Sequence, residues 1–598
     1  MLPANRMTTP KEAPLDLYKA KHAAASAEAA RTKRSADLVA SIRLIVFLGL
    51  VGALGAAVWV NPPLFGPVFG GTLLLFVLLV VLHARMFISL ERQEKKVEYY
   101  ALGIGRLEKP SETFLREGTT TISPSHPFLY DLDLAGKGDT LLRRLDTTWL
   151  PAARRVLMSL LAGEWGSTET SVARQRSIQA LRDKIDLRAE VFVAGAVVAP
   201  TVEIDDLVKW AEGESSRTFL PKPIAVLLTA AILGVALFGS VVGPSYLVAI
   251  AYGVGLVLSG LVARSADRSV AEADRIRREL RVYEQIVMCF SSDPTLRDAV
   301  APVKAPTGAE GAFKQIARVL DLAGARENGG FRIFVAPFFL WDVHVTNAMD
   351  VWRKRWGKEL RGWIEAMAEF EVLLSLSQYA FEHPEACLPE LAPSAVWSAE
   401  GLVHPLLLGG VPGDPPKLEA RSLVLVTGSN MSGKSTLLRS AGLSIVMARM
   451  GLPVSAKRAT VGTFELVTSI RTDDSLSGGV SRFYAELLRL RLVIDRVAAG
   501  KSVLYLLDEI LHGTNHRERV EGAKQYLSRL LASDALGFVS THDFALAELE
   551  GAYPENVTNV HFEEQVNGDQ MTFDYKLRPG VVQSSNALRL MRSLGLIS

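Results

Sequence analysis

The sequence predicts a chain of two characters: an α/β P-loop domain at its C-terminal end, and a mostly helical remainder that carries four transmembrane helices in two hairpins. Three observations predict this. First, Gly428-Ser-Asn-Met-Ser-Gly-Lys-Ser435 fits G-x-x-x-x-G-K-[ST] between an apolar, strand-like run at 423–426 and a helix-like run at 436–450. Second, another apolar run at 503–507 ends in the acidic pair Asp508-Glu509. Third, the stretches 44–60, 64–82, 224–242 and 246–263 contain no Asp, Glu, Lys, Arg or His.

The glycine-rich loop is the most specific of these signals. Successive backbone N–H groups in such a loop point inward and bind phosphate oxygens, assisted by the positive helix N-terminus. Gly428, Ser429, Asn430, Met431, Ser432, Gly433, Lys434, Ser435 and Thr436 are therefore the candidate nucleotide-binding residues. Lys434 is expected to reach the β- and γ-phosphates of ATP, and Ser435 to hold Mg²⁺. An acidic pair at the carboxyl end of a buried strand suits metal-assisted phosphoanhydride cleavage. Asp508 would hold Mg²⁺ through water, and Glu509 would orient or deprotonate the attacking water. A further apolar run at 536–539 leads into Ser540-Thr-His-Asp543, which makes His542 a second candidate catalytic residue, near the γ-phosphate.

Composition bounds the setting. At 598 residues the chain exceeds one domain, and 49% hydrophobic against 22% charged residues is too apolar for a purely soluble protein. Mean hydropathy is +0.20 and the pI about 8.3. A net charge of +2 gives no global basic field for nucleic acid. The two cysteines, Cys289 and Cys387, suggest neither a disulfide framework nor a zinc site.

Each apolar stretch approaches the roughly 20 residues that cross a hydrocarbon core. Short uncharged turns, Asn61-Pro-Pro63 and Gly243-Pro-Ser245, join them in pairs. Arg31, Lys33, Arg34 and Arg43 precede the first hairpin; Arg85, Arg92, Lys95 and Lys96 follow it; Lys222 and Arg264 flank the second. The positive-inside tendency then puts both termini and the bulk of the chain in the cytoplasm. The absence of ionisable groups within the spans argues against an ion or proton path. Gly49, Gly52, Gly55, Gly66 and Gly70 permit close helix packing.

The resulting expected organisation is a cytoplasmic segment at 1–43, a transmembrane hairpin at 44–82, a helical segment at 83–220, a second hairpin at 224–263, a second helical segment at 264–402, and the α/β domain at 403–598. Within these, 85–108 and 265–290 read as charged helices, 140–188 as a long helical stretch, and 341–379 as a helical region rich in Trp and Arg. Strand–helix alternation begins at about Val403.

Leu476-Ser-Gly-Gly-Val-Ser481 resembles the signature of ABC-type ATPases. On that resemblance a Ser and Gly backbone from one subunit closes over the other subunit's phosphate, so two domains pair head to tail. The full set of motifs is similar to the MutS family. It comprises the Asn430-Met431 loop, Asp473-Asp-Ser-Leu476 leading to Ser481-Arg-Phe483 and Glu486, Leu507-Asp-Glu-Ile510 followed by Gly513-Thr-Asn515, and Ser540-Thr-His542. Asn559-Val-His561 and the tail 580–594 look like the family's closing strand and dimer-forming tail. Upstream, 130–134, 141–144, 174–181 and 341–371 resemble the family's helical core. The resemblance implies an ABC-type P-loop ATPase with a MutS-like core, acting as a homodimer in which Ser481 works in trans, with ATP and Mg²⁺ as cofactors and DNA as a ligand bound by structure rather than sequence.

The chain also departs from that family. Residues 1–43 are too few for the N-terminal domain whose Phe-x-Glu wedge reads mismatches, and Phe483-Tyr-Ala-Glu486 lies inside the α/β domain. Arg482 stands where the family usually has Thr, and His512 where it often has Arg. Arg143, Arg144, Arg353, Lys354 and Arg355 are candidate DNA-backbone contacts, with solvated helix faces as the other reading. Two other functions stay open: a membrane scaffold or remodelling ATPase without DNA, and an ABC-type transporter. Against the transporter stand the short distance from Lys434 to Ser477 and the uncharged spans.

Overall fold

Apolar runs followed without a break by charged helical sequence produce helices much longer than a membrane is thick. In a computed structural model, α1 (Glu12–Ala57) and α2 (Phe65–Glu108) each continue from an apolar half into a polar half. They lie antiparallel: Phe47 meets Phe76 with ring centroids 5.7 Å apart, Arg43 meets His83 at 3.3 Å, Gln93 bonds Glu28 at 3.1 Å, and Lys19 pairs with Glu108 at 2.7 Å. The structure describes residues 12–57, 65–113, 126–213, 221–292, 296, 300, 308–325, 329–407, 409–429, 432–470, 482–512, 515–567 and 570–582. The Asn61-Pro-Pro63 turn, Asn430, Met431, residues 471–481 including Ser481, Gly513-Thr514, and the tail from residue 583 lie outside the described residues.

Four spans were expected. Among the described residues, three helices are long and apolar enough to cross a membrane: Ala13–Ala53, Phe69–Glu108 and Lys222–Val241. The fourth run is a shorter apolar stretch, Tyr246–Gly260. It opens α9 (Tyr246–Ser292), which pairs with α8 (Lys222–Val241).

The helical stretch expected over 140–188 consists of four helices: α3 (Leu141–Leu145), α4 (Pro151–Leu161), α5 (Thr168–Leu181) and the start of α6 (Ile185–Val198). Pro151 starts α4, and Gly163 (φ +97°) and Gly166 (φ +74°) turn the chain before α5, in backbone that favours glycine. With α7 (Ile204–Glu212), α10 (Ala309–Gly324) and α11 (Trp341–Trp356), they surround α12 (Leu360–Glu382), which is buried along most of its length. The Glu371 carboxylate on α12 accepts N–H bonds from Trp149 (2.7 Å) and Leu150 (3.0 Å), holding the start of α4. At the far end of α12, buried Glu382 pairs with Arg106 of α2 at 2.9 Å and accepts from Tyr18 of α1 at 3.0 Å.

Strands begin earlier than Val403. β1 (Glu390–Leu391) and β2 (Val396–Glu400) join β3 (Leu418–Glu419) and β5 (Arg458–Val461) in a small sheet of order β1-β5-β2-β3. Their partner β5 is distant in sequence, so local pattern could not reveal them. The main sheet is built from β4 (Leu423–Thr427), β6 (Glu465–Ser469), β7 (Val503–Asp508), β8 (Leu536–Thr541), β9 (Val557–Asn567) and β10 (Gln570–Pro579), in the order β10-β9-β4-β8-β7-β6. All pairings are parallel except β9–β10. β4 and β8 are buried throughout, as parallel strands covered on both faces must be. Trp397 of β2 packs edge-on against Phe538 of β8, tying the two sheets together.

Candidate functional site

The register sets the site. β8 lies between β4 and β7, with Thr427 beside Thr541 and Ser540 beside Asp508. The carboxyl ends of the three strands therefore share one edge, and the loops leaving them meet there.

After β4 the chain turns through Gly428 (φ +149°) and Gly433 (φ +111°) into α13 (Lys434–Arg449). A Cβ on Gly428 would stand 2.9 Å from the Ser432 hydroxyl and 3.0 Å from the Phe562 carbonyl, so the close approach requires glycine. Lys434 is buried and curls back to donate to the Gly428 and Ser429 carbonyls, both at 2.9 Å. The hydroxyls of Ser429 and Ser432 are buried without a hydrogen-bond partner among the described residues, and such groups are costly unless a ligand satisfies them.

Ser435 donates to Asp508 at 2.5 Å, and Ser540 bonds the other oxygen of the same carboxylate. Glu509 adopts φ +51° at the strand end, an uncommon conformation for a residue with a side chain. Its N–H donates to Ser540 O at 3.1 Å. Its carboxylate lies 3.6 Å from Lys434 Nζ, 3.6 Å from His542 Nδ1 and 3.3 Å from His512 Nε2. The structure thus brings Lys434, Ser435, Asp508, Glu509 and His542 together. Thr436 lines the adjoining cleft.

Sequence reasoning missed several neighbours. Donor atoms of Glu509, His512 and His542 all lie within 4.8 Å of one another, so His512 belongs to the same cluster. Glu486 accepts the N–H of Leu511, bracing the turn after Glu509. Arg519 holds Asp543 at 2.8 and 3.2 Å and reaches His542 Nε2 at 3.4 Å. A cleft of about 510 Å³ opens beside the loop, walled by Leu402, His404, Leu407, Phe562 and Tyr575. Burial, with Arg439 nearby, pushes the His404 imidazole down to about 4, so it is neutral near pH 7. Phe562 directly follows the Asn559-Val-His561 strand, the one sequence signal that pointed toward this wall.

The candidate DNA-contacting arginines are partly engaged within the protein. Arg144 pairs with Asp139 at 2.5 Å, and buried Arg353 stacks over Trp210 at 4.7 Å. Lys354 and Arg355 are exposed.

Fold and geometry define an α/β domain in which a glycine-bearing turn and an acidic pair share one sheet edge. Residues 424–597 match MutS domain V. The chain is 32% identical over 238 residues to the DNA mismatch repair protein MutS of Natronomonas pharaonis, covering 39% of this chain and 27% of that protein. It is likewise 32% identical over 242 residues to the DNA mismatch repair protein MutS of Geobacillus thermodenitrificans, covering 39% and 26%. The likeness to the MutS family therefore lies in this C-terminal part of the chain. It spans about a quarter of the length of these curated relatives.

Proposed function

We propose that this protein is a membrane-anchored, MutS-like ATPase that works as a dimer and couples ATP binding and hydrolysis to its helical core, with DNA as the ligand. The observation that carries the ATPase reading is the convergence of Lys434, Ser435, Asp508 and Glu509 at one edge of the sheet, beside an open cleft. The loop suits a triphosphate: its glycines clear the backbone, two serine hydroxyls lack partners among the described residues, and Lys434 can exchange two loop carbonyls for phosphate oxygens. Ser435 and Asp508 supply the oxygen donors that Mg²⁺ prefers, and Mg²⁺ would neutralise charge on the phosphates. Glu509 orients water and accepts its proton, while His542 fixes the Glu509 carboxylate. Neutral His404 with Phe562 and Tyr575 offers an apolar wall for the base.

Dimerisation is proposed from the trans role that the family resemblance implies for Ser481. DNA as ligand is proposed from the two relatives' description as DNA mismatch repair proteins. Membrane anchoring, with both termini cytoplasmic, is supported by the three long apolar helices and the basic residues that flank them.

The test is ATP turnover by detergent-purified protein, with and without Mg²⁺ and with and without duplex or branched DNA. Turnover is expected to need Mg²⁺ and to fall at least about 10²-fold in Lys434→Ala and Glu509→Gln. Turnover near the unsubstituted rate in either variant would refute the site. A rate indifferent to DNA, with no salt-dependent binding, would refute the DNA part and leave a scaffold or remodelling ATPase.

A further inference from the structure

We infer that the segment between α10 and α11, Phe331 to Phe339, is a re-entrant element that enters the bilayer beside α8 and α9, with lipid acyl chains as its partner. The inference rests on the membrane reading of the α8–α9 pair.

The segment reads Phe331-Arg-Ile-Phe-Val-Ala-Pro-Phe-Phe339, apolar except for Arg332. That length is too short to span a bilayer. Its backbone folds as a π-helical turn, Phe331–Val335, followed directly by a 3-10 turn, Ala336–Phe339. The N–H of Ala336 bonds Phe331 O, and that of Leu340 bonds Ala336 O and Pro337 O. The Tyr252 hydroxyl donates to Ile333 O at 3.0 Å. These local bonds meet the demand that backbone in hydrocarbon find its partners within protein.

One side of the segment packs on the helix pair. A Cβ at Gly255 would lie 2.3 Å from Pro337 O, so the two backbones touch there. Phe338 lies against Tyr252, with centroids 5.5 Å apart. Leu340 and Val343 share a buried cluster with Ala225, Ile232 and Ala251. Gly255 sits midway between Tyr246, where α9 begins, and Arg264, the first charged residue of that helix. The contact is therefore at the middle of the apolar stretch, the depth of a bilayer's interior if that stretch spans.

The other side is bare. Ile333 is 53%, Phe334 70% and Phe339 42% exposed, and the π turn contains no buried residue. The helices beside it also carry exposed apolar side chains, Leu227 at 70% and Val257 at 63% exposed among them. Water would make such a surface an aggregation site; acyl chains cover it without loss. Arg332 stands near the start of the segment, where its long stem can carry the guanidinium back to headgroups. Trp341 follows at the other end, its indole N–H bonded to Leu322 O at 2.8 Å and its ring against Phe331, an amphipathic side chain of the kind found at membrane interfaces.

The test uses full-length protein in phosphatidylcholine vesicles. In a Cys289→Ser, Cys387→Ser background, an environment-sensitive fluorophore is attached to Phe334→Cys, to Leu227→Cys on α8, or to Glu521→Cys on the α/β domain. Emission is quenched by nitroxide-bearing lipid or by aqueous iodide. The Phe334 probe is expected to follow the Leu227 probe: blue-shifted, quenched by lipid nitroxide and protected from iodide. If Phe334 instead follows Glu521 while Leu227 stays lipid-quenched, the re-entrant assignment is wrong and anchoring stands. Protection of Phe334 from both quenchers would identify a protein partner on this patch and also overturn it. If Leu227 itself behaves as aqueous, the membrane reading fails, and this inference with it.

Discussion

Glu509 and His404 owe their chemistry to different constraints. Glu509 is set by backbone: its positive φ and the bond from its N–H to Ser540 O aim the carboxylate at Lys434 and His542 rather than along the strand. Glu509→Gln preserves shape and removes the proposed base, so turnover should fall roughly 10²–10⁴-fold while labelled ATP still binds. Lys434→Ala should weaken binding itself, and equilibrium dialysis separates the two. His404 is set by burial, which lowers its folded value from 6.5 to about 4. In that window the unfolded chain binds the extra proton, so stability is full above pH 6.5 and is lost as pH falls toward 4. Thermal melts across this range should show the loss, and His404→Gln should flatten it. If the variant keeps the full slope, His404 is not the group responsible.

The elements show which parts of the architecture local pattern can encode. β4, β7 and β8 were legible because strands covered on both faces are continuous apolar runs, and the turns after them carry loop glycines and carboxylates. Helical continuation of the charged stretch at 85–108 was legible because no Gly or Pro interrupts the sequence where the apolar run ends. β1 and β2, the cleft wall and the division of 140–188 were not, since each depends on partners far away in the chain or on turns within helix-like composition. The Arg106–Glu382 pair is of the same kind: it joins the stalk formed by α1 and α2 to the end of α12, just before β1, and both side chains are buried. Removing one partner leaves an uncompensated buried charge, which costs about 3–5 kcal/mol. Glu382→Ala is expected to lower the melting temperature strongly in detergent. Replacing both by Met should recover much of the loss; a double variant no better than the single would show that the pair itself is not the cause.

At the scale of the whole molecule, the issue is how events at the sheet edge reach the helices, and Asp131 provides the junction. Its fully buried carboxylate accepts from the Thr468 hydroxyl at 2.6 Å, Ile470 N–H at 2.9 Å and Arg489 at 2.7 Å, while its carbonyl accepts from Arg439 at 3.1 Å. Arg439 lies on α13, the helix that begins at Lys434. Thr468 and Ile470 lie where β6 ends, immediately before residues 471–481, and Arg489 lies on the helix Arg482–Ala498 that follows them. Asp131 therefore holds α13 through its main-chain carbonyl and both sides of the 471–481 segment through its carboxylate. A nucleotide that shifts α13 or that segment must also load this junction. Asp131→Asn keeps an acceptor oxygen but removes the charge opposite Arg489, so it tests coupling with less risk to folding than Asp131→Ala. With ATP bound to a Glu509→Gln background, hydrogen exchange is expected to slow both in α13 and in the helices that follow Asp131 in the chain, α3 and α4. Adding Asp131→Asn should keep the protection of α13 and abolish that of the helical region. Equal protection of both regions in the double variant would mean that the signal passes elsewhere, and the Trp397–Phe538 contact between the two sheets would be the next route to break.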